Sequence, residues 1–256
     1  MKFRVLGCSG GQLPGYNLSS FLINDSLLID AGSTTAALSL AAQKKIKDIL
    51  ITHFHLDHVM ALPTLADNLY GKCKVPVDVW SIDSVINGLA SSLFNNHLWP
   101  DFTRITGAGQ RLPVLRLRRL PQEKATKVGD HSVTAVAVNH AVPSVAFLVE
   151  SKDRTLLHLG DTGPTDEVWS LACKHKNLTA VVIETSFPNR LQDVADASRH
   201  LTPQTLAREL EKLGRRSLPV LVTHLKPEFR KEITAELRKL KDYRLRVLRD
   251  GDVLRL

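Results

Sequence analysis

Five times along this chain a short apolar run ends in a histidine or an acid. The runs are DILITH (48–53), TAVAVNH ending at His140, TLLHLGD ending at Asp161, AVVIE ending at Glu184 and LPVLVTH ending at His224. Runs of this length, rich in Val, Ile and Leu, read as strands buried on both faces. Such strands occur where helices cover a sheet, and polar groups at their carboxyl ends then gather along one edge. The pattern therefore predicts an α/β protein with its chemistry at strand ends.

The segments between the runs agree. KFRVLGC opens with strand alternation, and SFLIN with SLLIDA reads as a hairpin turned at Asn24-Asp25. TTAALSLAAQKK, a stretch from Asp57 to Asn68, DSVINGLASSLFNN, a segment opening at PTDEVW, LTPQTLARELEKLG ended by Gly214, and EFRKEITAELRKLK read as helices. VPVDVWSI and SVAFLVES read as further strands, and YRLRVLRDGDVLRL as a closing hairpin turned at Asp250-Gly251. No linker, low-complexity tract or short repeat interrupts the series. The expectation is a single domain over 1–256, two sheet layers flanked by helices.

No stretch approaches the ~18 uninterrupted apolar residues of a membrane span, and the chain starts in a strand rather than an apolar leader. The three cysteines form no CxxC pair, which points to a reducing cytoplasm. The formal net charge is +8, with the basic residues scattered rather than collected in a tail. That is either a solvated basic surface or a field that gathers a small anion.

HFHLDH (53–58) concentrates the chemistry. His53 and His55, two residues apart on extended chain, project the same way, and Asp57 and His58 follow where a helix begins. Imidazoles and a carboxylate without thiolate suit zinc, iron or manganese rather than calcium. One ion needs three or four ligands, and His140, Asp161 and His224 end other strands. The total of five histidines and two aspartates suffices for two ions sharing one carboxylate. His97, His131, His158 and His175 occupy no such position and read as surface or core residues.

This ligand series, HFHLDH followed by His140, Asp161 and His224, resembles that of the metallo-β-lactamase fold over nearly the whole chain. The resemblance implies a four-layer αβ/βα sandwich with a dinuclear site at one edge. It assigns His53, His55 and His140 to one metal, Asp57, His58 and His224 to the other, and Asp161 to both. LIDAGS, NHLWPDFTRI, LGDTGPTD, IETSFPNR, RHLTP and THLKP are similar to class II cyclic-nucleotide phosphodiesterases. Ala61-Leu62-Pro63-Thr64 departs from that family and resembles tRNase Z.

Both resemblances imply phosphodiester hydrolysis, in which two divalent ions (zinc first, iron or manganese as alternatives) lower the pKa of a water and neutralise charge on the transition state. Asp57 is counted among the catalytic residues. A ribose alkoxide leaves poorly without a proton, and His200 matches the acid of both families, with Glu184 orienting it. Lys226 and Arg190 are candidate phosphate contacts. LGCSGG lacks the features of a phosphate loop and reads as a tight turn near the site. Only twenty residues separate His140 from Asp161, where a tRNA-gripping arm would be inserted. The expected substrate is thus a small anionic nucleotide, cyclic AMP first, opened to the 5′-monophosphate, with RNA processing as the alternative. A non-catalytic nucleotide or metal binder is the third reading. SLFNNHLWPDFTRI (92–105), with Phe94, Trp99 and Phe102, is open to four roles: lid, base-stacking wall, homodimer contact or core.

Overall fold

In the computed structural model, which describes residues 1–107, 109 and 111–256, the apolar runs become strands whose alternate side chains enter two different cores. Strands β1 (Lys2–Gly7), β2 (Ser20–Ile23), β3 (Leu27–Ile29), β4 (Asp48–Leu50), β5 (Val77–Ser81) and β6 (Leu115–Arg119) belong to one sheet. Strands β7 (Thr126–Val128), β8 (His131–Val138), β9 (Ser144–Ser151), β10 (Arg154–His158), β11 (Leu178–Glu184), β12 (Pro219–Thr223) and β13 (Arg244–Val247) form the other. The last strand, β14 (Val253–Arg255), returns to the first sheet. Among the described residues the orders are β14-β1-β2-β3-β4-β5-β6 and β13-β12-β11-β10-β9-β8-β7, seven strands each.

The two sheets share one ladder pattern. From β14 or β7 inward, three antiparallel pairings are followed by three parallel ones. Period-two alternation divides the apolar residues. Phe147, Val149, Leu156 and Val182 join the cluster that holds Phe3, Phe21 and Ile29 of the first sheet. Leu148, Leu157, Val181 and Ile183 face outward, onto helices Glu167–Lys174, Pro203–Leu213 and Arg230–Leu237. Helices Leu62–Leu69 and Asp83–Gly88 cover the first sheet, giving the expected four layers. No helix among the described residues is long and apolar enough to cross a membrane.

Local signals account for the well-placed elements. Asn24 and Asp25 both adopt positive φ, 49° and 62°, as the central residues of a turn closed by the Ser26 N–H on Ile23 O at 3.1 Å, within the three-residue loop that pairs Ile23 with Leu27. Helix Pro203–Leu213 starts with Thr202 and Thr205 capping each other and ends on Gly214 in the left-handed conformation.

Four expectations need correction. The closing hairpin does not form, because β13 pairs with β12 while β14 pairs with β1. The Asp250 carboxylate accepts from the backbone N–H of Cys8 and of Asn17 (3.1 and 2.7 Å), which ties the turn to the first sheet. The helix expected from Asp57 to Asn68 is two, Leu56–Val59 and Leu62–Leu69. Pro63 has no N–H to offer a carbonyl one turn back, and the N–H of Ala61 goes to Ala31 O at 2.7 Å. TTAALSLAAQKK likewise forms two four-residue helices, Thr34–Ala37 and Leu40–Gln43. Strand β4 ends at Leu50 rather than His53, since the Thr52 N–H is bonded to the Asp30 carboxylate at 2.8 Å.

In the segment 92–105, Phe94 and Phe102 are core residues, Trp99 packs partly buried beside them, and Leu98 remains 61% exposed.

Candidate active site

The carboxyl ends of β4, β8, β10, β11 and β12 meet along one edge of the sandwich, and the predicted ligands meet there. His53, His55, His140 and Asp161 form one group, and Asp57, His58, Asp161 and His224 a second; within each, the donor atoms lie within 4.8 Å of one another. Asp161 is common to both, as a bridging carboxylate must be. Its Oδ2 is 3.3 Å from His58 Nε2, 3.2 Å from His224 Nε2 and 3.8 Å from His53 Nε2. Asp57 Oδ2 stands 3.2 Å from His224 Nε2, and His140 Nε2 stands 3.2 Å from His55 Nδ1.

The backbone is shaped for this convergence. His224 has φ 62° and donates its N–H to Cys8 O at 2.8 Å. The glycine of LGCSGG that follows Ser9 lies directly against it: a Cβ on Gly10 would fall 2.7 Å from His224 Nδ1. The loop is therefore a close-approach turn against a candidate ligand histidine.

Outer contacts fix which nitrogen of each ring faces inward. His140 donates from Nδ1 to Arg199 O (3.1 Å) and His58 from Nδ1 to Asp30 Oδ2 (2.7 Å). His224 donates from Nδ1 to Ser186 Oγ (2.9 Å). With Nδ1 donating outward, Nε2 is the nitrogen that each ring turns toward the cluster. The buried Nε2 atoms of His53 and His58 have no hydrogen-bond partner. A buried polar atom without a partner is costly, so this donor set suits divalent cations.

The electrostatics agree. Burial opposes charge on His58, but Asp161 and Asp30 outweigh it and hold the imidazole well above its ordinary range. Burial likewise works against the Asp161 carboxylate, yet His224 and His58 hold it well below the usual range. Asp57 is also lowered: burial opposes its charge, and the His224 hydrogen bond with the nearby His58 overcomes it. Burial pushes His53 well down, helped by the neighbouring His58. The two acids thus stay ionised and the buried His53 neutral, the forms in which such groups bind a metal, and the acids favour positive charge where His58 lies.

Glu184, His200 and His224 also converge. Both Glu184 oxygens, however, are occupied: Oε1 by His200 Nδ1 (2.5 Å) and the Thr162 N–H (3.1 Å), Oε2 by the Ser186 hydroxyl (2.7 Å). This is a hydrogen-bond network, and it leaves His200 Nε2 as the free end of the pair. Burial disfavours the His200 imidazolium, but Glu184 more than compensates and raises it to about 9. The ring is stacked at 5.5 Å on His224 and lies 5.1 Å from His140, beside the metal groups.

Lys226 is close by, its Nζ 2.5 Å from Gly10 O and 5.9 Å from the Phe187 ring, which itself packs against His200. Arg190 is not gathered into the cluster. It pairs with Glu232 at 2.9 Å and stacks over Phe229 on the surface. Of the remaining histidines, His131 and His158 are buried, His175 is half-buried and His97 exposed. Two further residues received no role from the sequence: Asp30, quoted there only within LIDAGS, and Ser186, within IETSFPNR.

Two sheets sandwiched by helices, with a His/Asp cluster at the strand ends, define a metallo-β-lactamase fold. The metallo-β-lactamase fold protein YhfI from Bacillus subtilis superposes with a TM-score of 0.80, covering 99% of each chain at 17% identity. Unliganded yeast PDE1 superposes with a TM-score of 0.79 over 96% of each chain at 20% identity. Residues 25–249 match the family described as cAMP phosphodiesterases class-II, and the chain belongs to that family. A "Probable 3′,5′-cyclic-nucleotide phosphodiesterase" of Yersinia pestis is 31% identical across 93% of this chain and 83% of that protein. A Ribonuclease Z of Pyrococcus abyssi matches less of it, 28% identical over 55% of this chain and 45% of that protein.

Proposed function

We propose that residues 1–256 act as one domain that hydrolyses a 3′,5′-cyclic nucleotide, cyclic AMP first, to the 5′-monophosphate. The observation that carries this reading is the seven-residue His/Asp cluster set against the buried His200–Glu184 pair, in a member of the class-II family. Seven donors with one shared carboxylate suit two divalent ions, and we assign zinc, with iron or manganese as alternatives, from the imidazole-rich set.

His53, His55, His140 and Asp161 would hold one ion, and Asp57, His58, Asp161 and His224 the other. Such ions supply Lewis acidity for water and for the phosphoryl oxygens. The chain's own groups do the rest. Lys226 holds a non-bridging phosphate oxygen by charge. Arg190, engaged by Glu232, would first have to leave that pair. As water adds to phosphorus and the P–O3′ bond breaks, the proton on His200 Nε2 passes to O3′. Glu184 keeps Nδ1 protonated and so keeps Nε2 aimed at the leaving group.

RNA processing is the weaker reading. The twenty residues after His140 form only the β9–β10 hairpin, with Lys152 and Asp153 as its turn. We further place the protein in the cytoplasm, since its three cysteines are odd in number and contain no CxxC pair, and assign the exposed Leu98 to a homodimer contact.

Metal-loaded protein offered cyclic AMP, cyclic GMP, a 2′,3′-cyclic nucleotide and a precursor tRNA in parallel tests the reading. The 3′,5′-cyclic substrates should turn over fastest; preference for the tRNA would reverse it.

A further inference from the structure

We infer that the cleft between helix Arg230–Leu237 and edge strand β13 binds a small organic phosphate, at a site separate from the metal cluster. The cleft encloses a cavity of about 360 Å³, of the size ligand pockets have. Arg230, Arg238, Lys241 and Arg249 line it, and no Asp or Glu does so among the described residues.

Among the described residues these four cations have no ion-pair partner, in contrast to several basic residues elsewhere on the surface. Arg116 and Arg118 share Asp78, Arg190 has Glu232 and Arg246 has Asp252. Arg230 donates to Leu248 O, at 2.6 Å, and lies over the Tyr16 ring. Four positive charges around one cleft repel one another unless an anion sits among them.

The floor is apolar for a reason visible in the strand. Along β13, Arg244 and Arg246 are exposed, whereas Leu245 and Val247 are half-buried and line the cavity with Tyr243. A smaller cavity, about 230 Å³, adjoins it and shares Arg230 and Arg249. Ser9 lines this second space; it is 1% exposed and its hydroxyl has no partner. Asp250 lines it too, but its carboxylate is taken by the N–H groups of Cys8 and Asn17.

These features specify the ligand. Guanidinium forks match phosphate oxygens, and a phosphomonoester dianion offsets more of the charge than a monoanion. The Tyr243–Leu245 floor calls for a flat, partly apolar body on that phosphate. A nucleoside monophosphate has both parts, with its phosphate between Arg230 and Arg249.

The test is equilibrium dialysis of AMP, inorganic phosphate and a short single-stranded oligonucleotide against the metal-loaded parent and the Arg238→Gln/Arg249→Gln double variant. Both substituted residues lie outside the metal cluster, so metal content and turnover should match the parent. The readout is the difference between the two proteins, so it stands whether or not the metal centre also binds AMP. The variant should bind one AMP per chain fewer than the parent, and phosphate should occupy the cleft more weakly than AMP. Equal AMP stoichiometry in the two proteins would overturn the site. Phosphate binding as tight as AMP would remove the organic part of the ligand, and preferential capture of the oligonucleotide would give the cleft to nucleic acid instead.

Discussion

The hydroxyl of Ser186 lies 2.9 Å from His224 Nδ1 and 2.7 Å from Glu184 Oε2. It can accept from the histidine and donate to the carboxylate at once, so one side chain connects a candidate metal ligand to the orienter of the candidate acid. Ser186→Ala breaks that link without adding bulk. Loss of such an outer partner typically weakens metal binding ~10- to 100-fold, and Ser186→Thr should restore most of it. Competition with a chromophoric chelator measures both; unchanged affinity in the alanine variant would remove Ser186 from this role.

His200→Ala should keep both metals, because His200 belongs to neither four-residue metal group. General acid catalysis is worth ~100- to 10,000-fold, and kcat for cyclic AMP should fall within that range. On bis(p-nitrophenyl) phosphate, whose phenolate departs unaided, the fall should be much smaller. Equal losses on both substrates at full metal content would mean that His200 positions the phosphate or the water.

Glu184 sets the pH range of that acid. His200, raised to about 9, carries its proton below that value and loses it as pH climbs through it. Acid-assisted turnover should therefore decline on the alkaline side. Glu184→Gln removes the charge that stabilises the imidazolium, so the alkaline limb of kcat should move to lower pH. A limb that stays in place in this variant would assign it to another group.

His158 predicts a pH effect on stability instead of rate. Burial holds its pKa at about 4, against an ordinary value of 6.5. The unfolded chain thus takes up a proton below 6.5 that the folded chain refuses until near 4, and stability declines as pH falls across that window. At pH 5 the loss from this group is about 2 kcal/mol. The drop in urea midpoint between pH 7.5 and pH 5 should shrink in His158→Gln relative to the parent. An identical drop in both proteins would show that the imidazole does not titrate this way.

Asp161→Ala removes the one carboxylate common to both metal groups. Elemental analysis of protein purified without chelator should find two ions per chain in the parent and fewer in the variant. A single ion in the parent, retained in the variant, would rule out a bridged pair.

The candidate ligands were legible because His53, His140, Asp161 and His224 follow closely on strands, whose ends in such a sheet converge whatever the intervening loops do, and because His55, Asp57 and His58 share one six-residue motif with His53. The turn at Asn24-Asp25 and the caps of helix 203–213 were legible for a local reason: their residues are the ones those backbone angles require. Asp30 escaped because its function depends on the 2.7 Å contact with His58, twenty-eight positions away. Arg190 escaped in the opposite sense, since nothing in its neighbours announces Glu232 as its partner. The closing segment misled for a third reason. Asp250-Gly251 is a good turn sequence, but a turn does not say whether the strands on its two sides pair with each other.

That last segment has a consequence for the order in which the molecule can be assembled. Strand β1 lies between β2 and β14, so one edge of the first sheet is completed by residues 253–255. On a ribosome, β1 would emerge long before β14 and wait with one row of backbone groups unpaired until residues 253–255 had followed it out. An open strand edge of this kind is a template for wrong pairing. His224, too, is delivered late, behind all the other metal-ligand candidates. From the emergence of β1 onward the nascent chain therefore carries an incomplete set of candidate ligands until residue 224 is made, and an unsealed edge until residues 253–255 are.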